Sequence, residues 1–135
     1  MPPPLLLYLE VMTMTVQEAI AKADRLRPNT HEDADKVMWV NVVERHVIDH
    51  MNLHVGYDMQ VPALTAEDMD KALTLEGTDT ELYVLYLAAM YDYYNGEFDR
   101  YNNGALQYNK RLEEWRAQFR REHMPKPFEG RRNLV

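Results

Sequence analysis

The feature that most constrains the fold is a row of apolar residues in the C-terminal half, spaced alternately four and three positions apart. A row of this kind belongs on an α-helix, where it forms one continuous packing face. Asn95-Gly96, a strong turn dipeptide, interrupts the row near its start. Either one long helix crosses this dipeptide, or a tight kink separates two helices that pack on one core, and we favour the kink. The members of the row are Tyr94, Phe98, Tyr101, Ala105, Tyr108, Leu112, Trp115 and Phe119.

Start and stop signals predict two helices earlier in the chain. Residues 15–18 (Thr-Val-Gln-Glu) read as a capping box, in which the Thr and Glu side chains each satisfy a free backbone amide, and Pro28 ends the helix that follows. Thr30 offers a second cap before a wide apolar stripe that ends near Gly56. The stripe consists of Val37, Val40, Val43, Val47 and Met51.

A third capping box, residues 78–81 (Thr-Asp-Thr-Glu), opens a helix that runs to Tyr93. Between residues 52 and 79 the pattern is weak: Leu73 and Leu75 alternate with polar residues as in a short strand, and residues 65–68 are able to cap one turn of helix. We therefore predict an all-α fold. It is a bundle of about four helices with a long C-terminal helix, an irregular connection around 52–79 and an extended C-terminal tail.

The first residues do not share the helical pattern. Three prolines and a short apolar run precede Met14, directly after which the first helical signal begins. The run is too short to span a bilayer, and no Lys or Arg precedes it as in a signal peptide. Our hypothesis is that Met14 is the natural start. The expected organisation is a non-native or disordered leader over 1–13, one helical domain over 14–125 and a basic tail over 126–135.

Charge and composition exclude several classes of protein. The chain has no cysteine, so disulfides and thiolate chemistry are ruled out, and its net charge of −7 argues against a protein that wraps nucleic acid. The charge is unevenly spread, because residues 110–135 carry eight basic and four acidic side chains, against seven basic and eighteen acidic before them. A chain polarised in this way can meet an acidic partner with its basic end or stack head-to-tail on itself, although a solvated surface without consequence explains the pattern equally well.

One string has the spacing of a metal site. His46 and His50 share a helix face, His54 extends the row, and Asp49 stands where one metallopeptidase class has a glutamate. No third ligand can be identified, so we interpret the row as facing the surface or a partner rather than as a catalytic site. We predict no catalytic, metal-binding or cofactor-binding residue and no cofactor.

Tyrosine is the peculiarity of the composition, with seven of nine lying between residues 83 and 108. Tyrosine suits half-buried surfaces and is enriched at interfaces, since a large apolar ring carries a hydroxyl that can reach water or a partner. Most of these rings are expected in the core or at its rim. Tyr91 and Tyr101 are predicted to point outwards and to form a subunit interface.

Residues 91–103 (Tyr-Asp-Tyr-Tyr-Asn-Gly-Glu-Phe-Asp-Arg-Tyr-Asn-Asn) carry a resemblance to a known family, together with residues 82–89 before them and His123-Met-Pro125 after them. Residues 16–20 and 23–29, followed by Lys36 and Trp39, match as well. As a set these segments resemble the head–tail connector proteins of tailed phages and prophages, also described as adaptor or head-completion proteins. Residues 46–77 match less well, and Gly104 stands where a better helix former is expected.

The resemblance implies a structural virion protein, made in the bacterial host cytoplasm and located in the virion neck, with no enzyme activity and no membrane contact. It implies a ring of twelve copies that binds the portal protein, extends a channel through which DNA passes without sequence-specific binding, and docks the next neck or tail protein. The basic tail is the expected portal contact. The candidate interface residues are Tyr91, Tyr101, Arg120, Arg121, Lys126, Phe128, Arg131 and Arg132. The alternative is a small helical regulatory or inhibitor protein with a single protein partner.

Overall fold

A computed structural model describes residues 13–124 of the chain. In this part of the chain, four α-helices and a small antiparallel sheet confirm the helical bundle, whereas the prediction of an all-α fold was incomplete because it left out the sheet. In chain order the elements are β1 (Thr13–Thr15), α1 (Val16–Leu26), α2 (Asp33–Val55), β2 (Ala72–Glu76), a 3₁₀ turn (Gly77–Thr80), α3 (Glu81–Tyr94) and α4 (Phe98–Glu122).

The first helix begins and ends as its sequence signals predict. Thr15 Oγ1 accepts from the amide of Glu18 at 3.2 Å, and Glu18 Oε1 accepts from the amide of Thr15 at 3.0 Å, so the capping box is complete. The amides of Val16 and Gln17 donate to carbonyls of the connection that follows α2, at 3.0 and 2.9 Å. The connection therefore satisfies helix-terminal donors that would otherwise be free.

The other two predicted caps were wrong. The N-cap of α2 is Glu32 rather than Thr30, and its side chain makes no capping hydrogen bond. Asn29 instead accepts from the amide of His31 at 3.0 Å, which continues the turn between the helices. At the third site a 3₁₀ turn takes the place of the capping box, and Thr80 Oγ1 donates back to the carbonyl of Gly77 at 2.7 Å.

The sheet joins the chain before α1 to the segment before α3. Thr13 pairs with Glu76 and Thr15 with Ala72, and Leu73, Leu75 and Met14 point into the core. The alternation at Leu73 and Leu75 is thus confirmed as a strand. Thr13, the last residue of the predicted leader, is part of β1, and the remainder of the predicted leader, residues 1–12, lies outside the described residues.

A tight turn separates α3 from α4, as the kink at Asn95-Gly96 predicts. Gly96 has φ 77°, a left-handed conformation that side chains disfavour, and the amide of Glu97 donates to the carbonyl of Asp92 at 2.8 Å. The alternative of one continuous helix was wrong. The chain reverses here, so that α4 packs back along α3.

Helix α3 occupies the centre of the bundle and contacts α1, α2 and α4. Its inward side chains include Leu82, Tyr83, Leu87 and Tyr91, each fully buried. Helices α2 and α4 run in the same direction, since His46 lies against Tyr108 and His54 lies against Phe119. The α2 stripe and the second half of the α4 row complete the core with Val37, Val40, Val43, Val47, Tyr108, Leu112, Trp115 and Phe119.

Gly104, an unexpected residue for the middle of a helix, lies where α4 packs closely against Ala89 of α3. A Cβ added at Gly104 would stand 3.3 Å from the Cβ of Ala89 and 3.6 Å from its Cα. The two small residues let the helix backbones come close, which explains a glycine at a position where helix propensity alone disfavours it.

Candidate interaction surfaces

Four aromatic rings form an exposed cluster at the turn between α3 and α4, and we call it the aromatic patch. It consists of Tyr93, Tyr94, Phe98 and Tyr101. The Tyr93 ring is central, with its centroid 5.0 Å from that of Tyr94, 5.0 Å from that of Tyr101 and 5.8 Å from that of Phe98. Tyr94 and Phe98 are 60% and 57% exposed, Tyr93 is exposed and Tyr101 is half-buried. Exposed aromatic surface concentrated in this way is typical of a binding site.

Packing holds the aromatic patch against the bundle. Tyr94 stacks on Trp39 of α2, with ring centroids 5.4 Å apart and an interplanar angle of 19°. Trp39 itself is buried. Through Tyr94 the patch is therefore continuous with the core, at one end of the molecule.

Carboxylates border the aromatic patch. Glu97 and Asp99 are exposed on either side of Phe98, and neither takes part in an ion pair within residues 13–124. Asp35 lies one helical turn before Trp39 on the same face of α2 and is also exposed. Arg27 and Arg100 line a pocket together with Glu97; Arg27 pairs with Asp92 at 3.3 Å, and Arg100 has no ion-pair partner within residues 13–124. The border is thus mainly acidic.

Tyr91, predicted to point outwards, is fully buried, so that prediction was wrong. Its ring stacks on His31 with centroids 5.6 Å apart, meets Trp39 edge-on, and has Lys36 Nζ 5.5 Å from its centroid. The inward face of α3 carries residues one helical turn apart, namely Tyr83, Leu87 and Tyr91. Tyr91 can act on an interface only through the rings that it supports.

A buried lysine lies beside Tyr91. Lys36 is 6% exposed, and its Nζ donates to both carboxylate oxygens of Asp24 at 3.1 Å. Burial acts to raise the pKa of Asp24, but hydrogen bonds from Asn29 and Lys36 outweigh it, and the pKa is lowered. This ion pair ties α1 to α2 at the end of the bundle that carries the aromatic patch.

The histidine row faces α4 rather than a metal site. His46 Nδ1 lies 2.8 Å from the Tyr108 hydroxyl, and the His50 ring packs edge-on against Trp115 and Phe119, with centroids 5.6 and 5.8 Å away. Burial, followed by the positive charge of Arg116, lowers the pKa of both His46 and His50. Within residues 13–124 no group of three potential ligands is close enough to hold a metal ion.

Beside this row lies an open groove of about 450 Å³ between α2 and α4. His50, Arg116 and Arg120 are among its lining residues. Arg116 donates to Glu113 at 2.5 Å, whereas Arg120 has no ion-pair partner among the described side chains. Arg120 and Arg121 are exposed on the last turn of α4, as expected of interface candidates, while the other four basic-tail candidates, Lys126, Phe128, Arg131 and Arg132, lie outside the described residues.

A buried carboxylate that the sequence analysis did not single out joins α2, β2 and α3. Glu44 is 2% exposed; its Oε2 accepts from the amide and hydroxyl of Thr74 at 3.1 and 2.7 Å, and its Oε1 accepts from the Tyr83 hydroxyl. The Tyr83 hydroxyl in turn accepts from the amide of Leu75 at 3.0 Å. Burial, and then the charge of Glu44, raise the pKa of Tyr83, so this hydroxyl stays protonated as a donor.

Sequence alone offered a weak signal for Glu44. It lies next to Val43 in the apolar stripe of α2, where burying a carboxylate costs free energy unless the carboxylate has a hydrogen-bond or ion-pair partner. For the aromatic patch the signal was the turn itself, since rings that flank Asn95-Gly96 lie at an end of the bundle.

No helix in residues 13–124 combines the length and the apolar character that a membrane span requires. Comparison with family models, with curated proteins and with solved structures found no match to the chain.

Proposed function

We propose that the protein is a head–tail connector of a tailed phage or prophage, an adaptor that works by binding rather than by catalysis. In this proposal twelve copies form a ring on the portal in the virion neck. The ring extends the channel through which DNA passes, and it provides the docking surface for the next neck or tail protein.

One observation carries the proposal: two separate exposed surfaces lie at opposite ends of one rigid helix. The aromatic patch includes Phe98 at the start of α4, and Arg120 and Arg121 lie on its last turn. At 1.5 Å per residue, Phe98 and Arg120 are about 33 Å apart along the helix axis. An adaptor needs such an arrangement, because it has to bind one component at each end.

The resemblance and the charge distribution add support. Residues 91–103, on which the resemblance rests, form the end of α3, the turn and the start of α4, and they contribute every ring of the aromatic patch. The basic residues concentrate from Lys110 onwards, and they suit an acidic portal rim. The residues before Lys110 carry a net negative charge, which would repel the phosphates of DNA and let it pass through the channel without binding.

The test is attachment to the portal protein. The portal encoded beside this gene is purified and mixed with the chain, and rings are sought by negative-stain electron microscopy. Truncation after Pro125 should abolish attachment and leave the circular dichroism spectrum unchanged. Exchanging both exposed arginines, Arg120→Glu with Arg121→Glu, should weaken attachment, because each exchange replaces attraction to an acidic rim by repulsion.

Lys22→Glu is the matched control, since Lys22 is exposed on α1 and lies outside the basic C-terminal region that begins at Lys110. It should attach as the wild type does. A neighbourhood without portal, capsid or tail genes, or undiminished attachment of the truncated chain, would contradict the proposal.

The alternative is a small helical regulatory or inhibitor protein with a single partner. Three exposed rings and the half-buried Tyr101, gathered at one end, favour it, because one such surface is enough for one partner. A complex with one copy of each protein and no ring on any portal would decide for this alternative.

A further inference from the structure

The aromatic patch presents a combination of ring faces and unpaired carboxylates that suits a cationic, aromatic segment. Arginine side chains stack on tyrosine rings, and exposed carboxylates bind guanidinium groups through paired hydrogen bonds. Tyr93 and Tyr94 offer the ring faces, and Glu97 and Asp99 offer the carboxylates.

The basic tail has the matching chemistry. Within residues 126–135, Phe128 follows Lys126 by two positions and precedes Arg131 and Arg132 by three and four, with Glu129 as the only acid. Phe128 can therefore pack among the exposed rings while the basic residues on either side of it reach Glu97 and Asp99.

We propose that the aromatic patch binds the basic tail of a second copy of this chain. In this contact Phe128 packs against Tyr93 and Phe98, and Arg131 and Arg132 pair with Glu97 and Asp99. The contact goes beyond the connector function, since it requires no other protein.

Distance favours a tail that comes from a second copy. Phe98 and Glu122 are separated along α4 by about 36 Å at 1.5 Å per residue. The six residues from Glu122 to Phe128 span at most about 22 Å when fully extended. The backbone at Phe128 therefore ends about 14 Å short of Phe98 in its own chain, so contact within one chain would need the tail fully extended along α4.

A contact between two different surfaces of identical chains propagates. Every copy offers one patch and one tail, so the copies form a closed ring or an open row according to the angle between neighbours. The connector proposed above uses the same tail on the portal, so in that case the portal and the neighbouring patch compete for it.

The test uses two full-length variants that are each defective in one half of the contact. The tail variant carries Phe128→Ser; the patch variant carries Tyr93→Ser and Phe98→Ser, at exposed positions where the fold should tolerate them. Sedimentation equilibrium at low salt and rising protein concentration gives the mass of each. The wild type should associate, and each variant alone should remain at the monomer mass of 16.0 kDa.

An equimolar mixture of the two variants is the decisive sample. The intact tail of the patch variant can bind the intact patch of the tail variant, so the mixture should form pairs and nothing larger. Leu106→Ser is the matched control, since Leu106 is 68% exposed on α4 but lies outside the patch, and it should associate as the wild type does.

Three results would overturn the inference: a wild type that stays monomeric, a tail variant that associates by itself, or a mixture that stays monomeric. A tail variant that associates would mean that two patches bind each other. All of these measurements are made without a portal, so they stand or fall independently of portal attachment.

Discussion

Removing the hydroxyl of Tyr83 should destabilise the fold far more than removing any other tyrosine hydroxyl at a comparable depth. The Tyr83→Phe substitution keeps the ring and its packing but deletes the donor to Glu44 and the acceptor for the amide of Leu75. A hydrogen bond to a charged group contributes about 1.5–3 kcal/mol, and a buried donor left unpaired costs about 1–3 kcal/mol. Because Glu44 keeps both bonds from Thr74, we expect a total loss of about 3 kcal/mol.

Urea unfolding followed by far-UV circular dichroism measures this loss as a lower midpoint with an unchanged slope. Tyr108→Phe is the matched control. The Tyr108 ring is also buried, but its hydroxyl forms a hydrogen bond with the half-buried imidazole of His46 rather than with a carboxylate. Loss of an ordinary hydrogen bond should cost about 1 kcal/mol there. Equal losses for the two variants would refute the argument that the charge of Glu44 makes the Tyr83 bond the stronger one.

A double-mutant cycle separates the Glu44–Tyr83 bond from the effect on Leu75. Glu44→Gln keeps the shape of the side chain and removes its charge, and it is combined with Tyr83→Phe. If the two side chains interact directly, the double variant should be less destabilised than the two single losses added together, by about 1 kcal/mol or more. If the two single losses add up to the loss of the double variant, the cost of Tyr83→Phe comes from the unpaired amide of Leu75 and not from the bond to Glu44.

Three further predictions concern the helix contacts. Gly104→Leu should cost about 2 kcal/mol in urea unfolding, since its side chain would overpack the approach to Ala89. Asp24→Ala should cost about 1–2 kcal/mol, because it removes the partner of the buried ammonium of Lys36 but the Asp24 side chain is 38% exposed, so water partly replaces it; Lys36→Met should cost less than about 1 kcal/mol. The pKa of His46 is lower in the folded chain than in the unfolded chain, so below about pH 6.5 the unfolded chain takes up a proton first. The free energy of unfolding should therefore fall as the pH is lowered through this range, and His46→Gln should make it depend less on pH.

Local signals predicted the positions where the helices break. The Thr15–Glu18 capping box, Pro28 and Asn95-Gly96 each act through the backbone within a few residues, and all three are found as predicted. The caps at Thr30 and Thr78 failed because tertiary contacts compete with them: Asn29 organises the turn before α2, and Arg111 of α4 holds Asp79 at 2.8 Å in the 3₁₀ turn.

Partners across the fold were not predictable in the same way. The strand at Leu73 and Leu75 was evident from its alternation, but its partner is the three-residue β1, too short to give a pattern of its own. Glu44 illustrates the same limit, since an acid in an apolar stripe indicates that a partner exists without saying that it is Tyr83, thirty-nine residues later.

The aromatic row shows why exposed rings can be mistaken for core in a sequence. Its spacing continues unchanged across Asn95-Gly96, yet the turn reverses the chain, so the row belongs to two helices with independent rotations. From Tyr108 onwards it is buried, whereas Tyr94 and Phe98 are exposed although they obey the same spacing. Tyr94 lies on another helix, whereas Phe98 shares the α4 face of Tyr108 but lies on the first turn, at the end of the bundle. A helical period therefore fixes a common face within one helix, but not the depth at which each side chain is buried. Whether a ring on such a face completes the core or stays exposed depends on its position along the bundle and on the packing of the turn.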